Sequence, residues 1–148
     1  MSTRSCIGIY FTDQFIEVSQ LSSDGTKLDR FNQTALPTGL IVNGEIKNQQ
    51  GFVSVLQNLL SSAKPYPIDT NQDVVIGVSD NRVFLREFTV PKYAGKDIEE
   101  AINYQVRILL PVLPAGVETD WQIIGRDTTD QIEVLLAALS KKIIDSYI

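Results

Sequence analysis

The fold of this chain is decided by residues 82–139, RVFLREFTVPKYAGKDIEEAINYQVRILLPVLPAGVETDWQIIGRDTTDQIEVLLAAL. Arg82–Val90 is rich in β-branched and aromatic side chains and predicts a strand, and Pro91 ends it because proline has no N–H to give to a sheet. The residues that follow predict an amphipathic helix, because apolar side chains recur at three- and four-residue steps and so share one face. Those side chains are Ile98, Ala101, Ile102, Val106 and Leu109.

The ends of this helix and the residues after it complete a strand-helix-strand-strand unit. Asp97 and the glutamates that follow it lie in the first turn, where the helix dipole favours negative charge, and Pro111 ends the helix. Thr119–Gly125 and Ile132–Leu139 then predict two strands, which are joined by the polar turn Arg126–Gln131. No obvious reaction centre lies within this unit.

The first part of the chain predicts an antiparallel meander of strands. Cys6–Phe11 and Phe15–Leu21 are strand-like runs that a short turn separates. Asp24-Gly25 then marks a hairpin, because glycine accepts positive φ at little cost. We expect Thr26–Ala35 to continue the meander as its third strand.

A loop, a helix and a further strand follow the meander. Leu36–Ile46 is irregular, because its proline and its glycines break it into turns. Asn48 is a suitable N-cap for a helix that runs through Ser62. Asp73–Ser79 is short and nearly all apolar, which predicts a strand with both faces covered. We therefore expect the element order βββ-α-β, followed by β-α-β-β.

Length, charge and composition exclude several classes of function. With 148 residues, 43% hydrophobic and 21% charged, the chain has enough apolar material for one ordinary domain or two small subdomains. Its net charge of −5, without a cluster of Lys and Arg, argues against nucleic acid as a partner, because counterion release requires concentrated positive charge. No apolar run approaches the roughly 18 residues of a membrane span, and nothing resembles the apolar core of a signal peptide. We therefore expect a cytoplasmic protein without direct membrane insertion.

The side chains that carry most enzyme chemistry are missing. The chain has no histidine, which is the commonest general base and metal ligand. Its lone cysteine, Cys6, can form neither an internal disulfide nor a CxxC metal site, and we expect it to be a small buried strand residue. Neither the Walker pattern nor GxGxxG is present. The sequence therefore argues against an enzyme and predicts neither a cofactor nor a metal.

Several short stretches occur in an order and spacing that resemble those of a known family. They are ALPTGLIVNGEI (35–46), VFLREFTVP (83–91), AINYQVRILLP (101–111), TDWQIIG (119–125) and LLAALSKKIIDSYI (135–148). They resemble, in turn, LPpGxIxxGeI, xvxRxixlP, aIrwEaxxyIP, lDyxvl and vlxaAxkxxixxyi of the PilM family, the cytoplasmic actin-like component of type IV pilus assembly. Together they cover nearly the whole chain.

The resemblance implies an α+β fold of the actin-like, or ribonuclease H-like, kind. Residues 1–81 would form subdomain 1A, with the strand meander, a helix and a strand. Residues 82–148 would form the FtsA/PilM-type strand-helix-strand-strand subdomain, called 1C, and the start of the following helix. We expect the chain to correspond to the N-terminal part of the family, without the half that carries the second phosphate loop and the adenosine site.

The residues at the first phosphate-binding loop depart from the pattern of the family. That pattern is GIDIGSSSIKvvel, in which the Asp helps to place Mg²⁺ and the Gly-Ser turn wraps the phosphates. In the same register this chain has Tyr10 for the Asp, Thr12 for the Gly and Glu17 for the Lys. Tyr10 offers no carboxylate, and β-branched Thr12 makes positive φ costly. Because Asp13 and Glu17 would also repel a triphosphate, we expect a degenerate site that neither binds nor hydrolyses ATP appreciably.

The resemblance also implies a non-catalytic scaffold. In the PilM family the groove between subdomains 1A and 1C binds the short cytoplasmic N-terminal tail of the inner-membrane protein PilN. For this chain we expect a PilN-like partner that holds the protein at the inner membrane, with main-chain bonds and a few apolar anchors in the groove. The expected binding residues are Leu36, Pro37, Ile41, Val42, Tyr104, Arg107 and Ile108. An alternative is that Leu40, Ile41 and Val42 pack beneath their own loop.

Other functions stay open on the sequence alone. A GspL-like component of type II secretion or an FtsA-like component of cell division would have the same fold, although the stretch LPTGLIVNGEI favours the pilus. An ATPase of the actin and sugar-kinase superfamily is disfavoured by the altered phosphate loop and the lack of histidine. Self-association as a homodimer is a further alternative, because exposed apolar surface usually finds a partner.

Overall fold

An antiparallel meander begins the fold, as the strand-like runs predict. It consists of β1 (Cys6–Phe11), β2 (Phe15–Leu21) and β3 (Leu28–Ala35). The third strand starts at Leu28 rather than at Thr26, because the hairpin before it is longer than a two-residue turn: the N–H of Ser22 donates to the carbonyl of Lys27 at 2.8 Å. The computed structural model describes residues 6–92, 98–110, 116–126 and 130–148 of the chain.

The elements after the meander complete the first of two units into which the chain divides, Met1–Ser79 together with Tyr147. They are β4 (Ile41–Val42), β5 (Glu45–Ile46), α1 (Gln49–Ser61) and β6 (Asp73–Gly77). The sheet has the order β3-β2-β1-β6, and β6 runs parallel to β1. Asn48 is the N-cap of α1 as predicted, since its side-chain oxygen accepts the N–H of Gly51 at 2.9 Å.

The core of this first unit lies between one face of the sheet and α1. Alternate residues of β1 and β2 face it, which is the period expected of a strand with one buried face. These residues are Ile7, Ile9, Phe11, Ile16 and Val18. The helix contributes Phe52, Leu59 and Leu60, and the loop before it contributes Leu36, Leu40 and Ile41.

Two expectations about burial in this unit are wrong. The expected strand at residues 73–79 is β6, but its faces are not covered: Val74 is 49% exposed and Val75 is 58% exposed. β6 pairs with β1 alone among the described strands, and an all-apolar run does not distinguish a covered strand from an edge strand. Cys6 is exposed rather than buried, because it is the first residue of β1 and the buried positions fall to Ile7 and Ile9.

The second unit, Asp80–Ser146 with Ile148, has the strand-helix-strand-strand order that its sequence predicts. Its elements are β7 (Phe84–Pro91), α2 (Ile98–Leu109), β8 (Val117–Arg126), β9 (Gln131–Ser140) and α3 (Lys141–Tyr147). The three strands are antiparallel in the order β7-β9-β8. A short 3₁₀ turn takes Asp80–Arg82, so β7 starts at Phe84 rather than at Arg82. The expected roles of Asp97 and Pro111 lie outside the described residues.

The apolar stripe of α2 packs on one face of this sheet. Ile102 and Val106 are buried in the core of the unit, and the remaining stripe residues are partly buried against it, as the three- and four-residue spacing predicts. β9 supplies Ile132, Val134 and Leu136 to the same core, with Val90 from β7. The side chain of Trp121 is partly buried against this cluster.

Candidate functional site

Three backbone N–H groups of the turn between β1 and β2 donate to acceptors within the turn itself. The Oγ1 atom of Thr12 accepts the N–H of Gln14 at 3.2 Å and the N–H of Phe15 at 3.4 Å. The N–H of Thr12 donates to the carbonyl of Phe15 at 2.9 Å. A phosphate-binding loop instead presents its backbone N–H groups to the ligand. These three N–H groups therefore all donate to acceptors inside the turn.

Tyr10 and Glu17 are direct cross-strand partners beside this turn. The ring of Tyr10 lies 5.8 Å from the ring of Phe15 and is tilted by 51° to it, so the phenol is part of an aromatic pair on the sheet face that α1 does not cover. Glu17 lines an open cleft of about 520 Å³ with Phe15 and three residues at the end of β3. The structure thus brings Tyr10, Thr12 and Glu17 together at one end of β1 and β2. They form an aromatic and acidic patch.

The same turn also holds the loop that follows β3. The carboxylate of Asp13 accepts the N–H of Asn43 at 2.8 Å and the N–H of Gly44 at 2.9 Å. The carbonyl of Gln14 accepts the N–H of Leu36 at 2.8 Å. The turn thus anchors both the beginning of the loop and its tip.

The tip of that loop is a tight hairpin between β4 and β5. Asn43 has φ 54° and Gly44 has φ 80°, which are the positive values that a two-residue hairpin of the I′ type requires. On the other side of the hairpin, the hydroxyl of Tyr147 donates to the carbonyl of Gly44 at 2.9 Å. The ring of Tyr147 packs edge-on against Phe11 with 4.8 Å between the centroids. The roles of Asp13 and Tyr147 were not found from the sequence.

The expected partner-binding residues of the first unit differ in exposure. Leu36 is 8% exposed and Ile41 is 2% exposed, so both side chains belong to the core. For Ile41 this agrees with the alternative that the residue packs beneath its own loop. Pro37 is exposed and lines a cleft of about 440 Å³ between β3 and α1. Val42 is 40% exposed on the β4–β5 hairpin. Of this set, Pro37 and Val42 present side chains to solvent.

The expected partner-binding residues of the second unit share one exposed face of α2. Tyr104, Arg107 and Ile108 stand at helical positions i, i+3 and i+4, which places them side by side. Tyr104 is 64% exposed and Ile108 is 53% exposed, while the buried Ile102 and Val106 face the sheet. An aromatic, a cationic and an aliphatic side chain therefore form one patch that the core does not use.

Neither a metal centre nor a membrane span is found in the described parts of the chain. Within those ranges, no group of three or more His, Cys, Asp or Glu side chains is placed to hold a metal ion. Likewise, no helix described here is both long enough and apolar enough to cross a membrane.

Comparison with protein families gives a match that covers nearly the whole chain. The family model of the type IV pilus assembly protein PilM matches residues 10–148. No functionally curated protein matches the sequence.

Comparison with solved structures identifies the fold. A chain of a PilM-PilN type IV pilus biogenesis complex matches with a TM-score of 0.77 and 21% identity, over 96% of this chain and 42% of that one. The cytoplasmic domain of EpsL, an inner-membrane component of the type II secretion system of Vibrio cholerae, matches with a TM-score of 0.55 and 9% identity, over 97% and 50%. A Bacteroides thetaiotaomicron protein with an actin-like ATPase fold and unknown function matches with a TM-score of 0.50 and 12% identity, over 97% and 48%.

These matches confirm the fold class predicted from the sequence. The chain has an α+β, actin-like fold, with the 1A-type unit followed by the strand-helix-strand-strand unit. It spans half or less of the length of each of these three solved structures.

Proposed function

Because the chain belongs to the PilM family of type IV pilus assembly proteins, we propose that it is a non-catalytic cytoplasmic scaffold of pilus assembly. In this proposal it binds the short N-terminal cytoplasmic tail of a PilN-like inner-membrane protein, and that tail keeps it at the membrane. The observation that carries the scaffold role is the β1–β2 turn, whose groups bond to the turn itself and to the neighbouring loop.

Binding of the tail is supported by the patch on α2 formed by Tyr104, Arg107 and Ile108. Tyrosine and arginine are the side chains that most often dominate the free energy of protein interfaces. The patch gives an extended peptide an aromatic surface, an aliphatic anchor and a guanidinium group that can meet a carboxylate or a main-chain carbonyl. Val42 and Pro37 are the corresponding exposed candidates in the first unit.

The experiment is a titration of isotope-labelled protein with a synthetic peptide that copies the N-terminal tail of the PilN-like protein. Saturable shifts of the amides of Tyr104–Ile108 are expected. Ile108→Ala should weaken binding about tenfold, as expected for loss of an interface anchor. The matched control is Val53→Ala, an exposed aliphatic residue on α1 that should leave the affinity unchanged. A flat titration, or equal effects of the two substitutions, would refute tail binding at this patch.

The non-catalytic part of the proposal has a separate test. Calorimetry with Mg²⁺ and ATP is expected to give no binding heat, because Thr12 closes the turn and Asp13 and Glu17 add negative charge beside it. Tight Mg²⁺-dependent binding would refute this part and leave tail binding untouched.

Two alternatives are distinguished by related measurements. The EpsL match leaves type II secretion as a system with the same fold, but the family match favours the pilus, and the tail of a type II secretion partner is therefore the negative control in the titration. Self-association stays a prediction. Sedimentation over a range of concentrations tests it, and Val75→Thr should weaken any dimer that forms through the exposed strand β6.

A further inference from the structure

The sheet of the second unit has a second face, opposite α2, with an apolar centre. Because side chains alternate along a strand, the buried residues of β9 point to α2 and the residues between them point the other way. On the central strand, this outer face carries Leu135, Ala137 and Leu139, all half-buried. Leu85 of β7 is paired with Ala137 and is 49% exposed.

This apolar centre is unusual for an antiparallel sheet that has one face in water. Such a sheet normally alternates apolar residues inside with polar residues outside. The central strand here reads Leu-Ala-Leu at its outward positions, and none of the three belongs to the hydrophobic core of the unit. The pattern indicates that a binding partner covers this face in the functional protein.

Carboxylates flank the apolar centre on both sides. Glu87 stands on β7 opposite Leu135, and Glu118 and Asp120 stand on β8 opposite Leu139 and Ala137. Glu133 continues the central strand at one end, and its carboxylate lies over Gly125, where an added Cβ would collide with it. Lys141 lies at the other end, with its Nζ atom 3.6 Å from Glu118 Oε1.

We propose that this face of the β7-β9-β8 sheet is a docking site for a basic amphipathic helix of a protein partner. The apolar side chains of the helix would cover Leu135, Ala137 and Leu139, and its flanking Lys and Arg would meet the carboxylates on β7 and β8. From Leu135 to Leu139 the strand rises about 13 Å, which roughly nine residues of a helix would span. The charge of the face excludes an acidic segment or an anionic membrane surface as its occupant.

This site is independent of the proposed tail site. Tyr104, Arg107 and Ile108 lie on α2, which packs on the other face of the same sheet. The two surfaces therefore lie on opposite sides of the second unit. A scaffold with both would hold two partners at once.

The probe for the test is a synthetic amphipathic helical peptide built from Leu and Lys, titrated into the isotope-labelled full chain. The same peptide with Glu in place of Lys is the control ligand. We expect saturable amide shifts on the outward residues of β7, β8 and β9 with the Lys peptide and none with the Glu peptide. No saturable shift on these strands with the Lys peptide, or equal binding of the Glu peptide, would overturn the proposal.

Matched variants separate this site from attraction to the overall negative charge. Glu87→Gln with Glu118→Gln should weaken binding about tenfold, because it removes the charge on both sides of the apolar centre. Glu99→Gln with Glu100→Gln removes the same charge from the exposed start of α2 and should leave the affinity unchanged. Equal weakening by the two pairs would mean that net charge alone attracts the peptide, and would refute a site on the sheet.

The apolar part of the site has its own pair of variants. Leu85→Asn should weaken binding severalfold, because it places a polar side chain beside the apolar centre. Leu28→Asn, at a leucine of the first unit that is 59% exposed, is the control and should have no effect. Both leucines are exposed, so neither change is expected to prevent folding.

Discussion

Replacement of Asp13 by alanine should destabilise the first unit at the β4–β5 hairpin. The carboxylate of Asp13 accepts the N–H groups of Asn43 at 2.8 Å and of Gly44 at 2.9 Å. Hydrogen bonds to a charged acceptor contribute about 1.5–3 kcal/mol each when water cannot replace them. Asn43 is exposed and water can replace its bond, whereas Gly44 is buried. We therefore expect Asp13→Ala to lower the free energy of opening this hairpin by about 2 kcal/mol.

Hydrogen exchange of the Gly44 amide is the assay for this prediction. A loss of about 2 kcal/mol corresponds to exchange that is roughly 30-fold faster. Asp13→Asn keeps one side-chain oxygen as an acceptor and should give an intermediate rate. Asp29→Ala, at a carboxylate whose side chain is 51% exposed, is the control. Exchange at Gly44 that is less than about twofold faster in Asp13→Ala would refute the argument, since it would mean that the carboxylate does not hold the hairpin.

Three further substitutions or titrations test separate parts of the structure. Asn48→Ala should lower the free energy of unfolding of the first unit by about 1 kcal/mol, measured by urea denaturation, because the N–H of Gly51 loses its acceptor. Leu136→Ala should destabilise the second unit by about 2–5 kcal/mol, measured by the fluorescence of the single tryptophan, because Leu136 is 0% exposed in the core. The hydroxyl of Ser22 and the groups of Thr26 lower the pKa of Asp24 from 3.8 to about 2, so the stability that this carboxylate contributes is present above pH 3.8 and is lost as the pH falls towards 2. Carboxyl NMR titration should give that pKa, and Ser22→Ala should raise it towards 3.8.

The elements of the second unit could be predicted from its sequence because the spacing of its apolar residues follows from burial against a single sheet. α2 packs on a single face of a single sheet, so the spacing of Ile102 and Val106 reports burial directly. Along β9 the burial alternates with the two-residue period of a strand. A sequence pattern predicts burial well when the surface that buries the residues is formed by elements that are close in the sequence, as α2 and its sheet are.

The first unit shows where such patterns fail. The apolar run at β6 predicts a covered strand, but the strand is exposed. Whether a strand is covered depends on the elements that pack against it, and these cannot be inferred from the residues of the strand alone. The hairpin at Asn43-Gly44 carried a recognisable turn signal between two apolar stretches. Its acceptor, Asp13, lies 30 residues earlier, and its second partner, Tyr147, lies 103 residues later than Gly44. No local rule connects residues at that distance.

The β1–β2 turn links these observations to the proposed function. At this turn the chain has a carboxylate that accepts the N–H groups of its own β4–β5 hairpin. The Asp13 carboxylate thus helps to organise the loop from residue 36 to residue 46 through these two bonds. Because these bonds lie within the chain, we expect the shape of this loop to be independent of nucleotide. We therefore expect the affinity for a PilN-like tail to be the same with and without ATP, and to fall in Asp13→Ala if exposed residues of the loop, such as Val42, form part of the binding site.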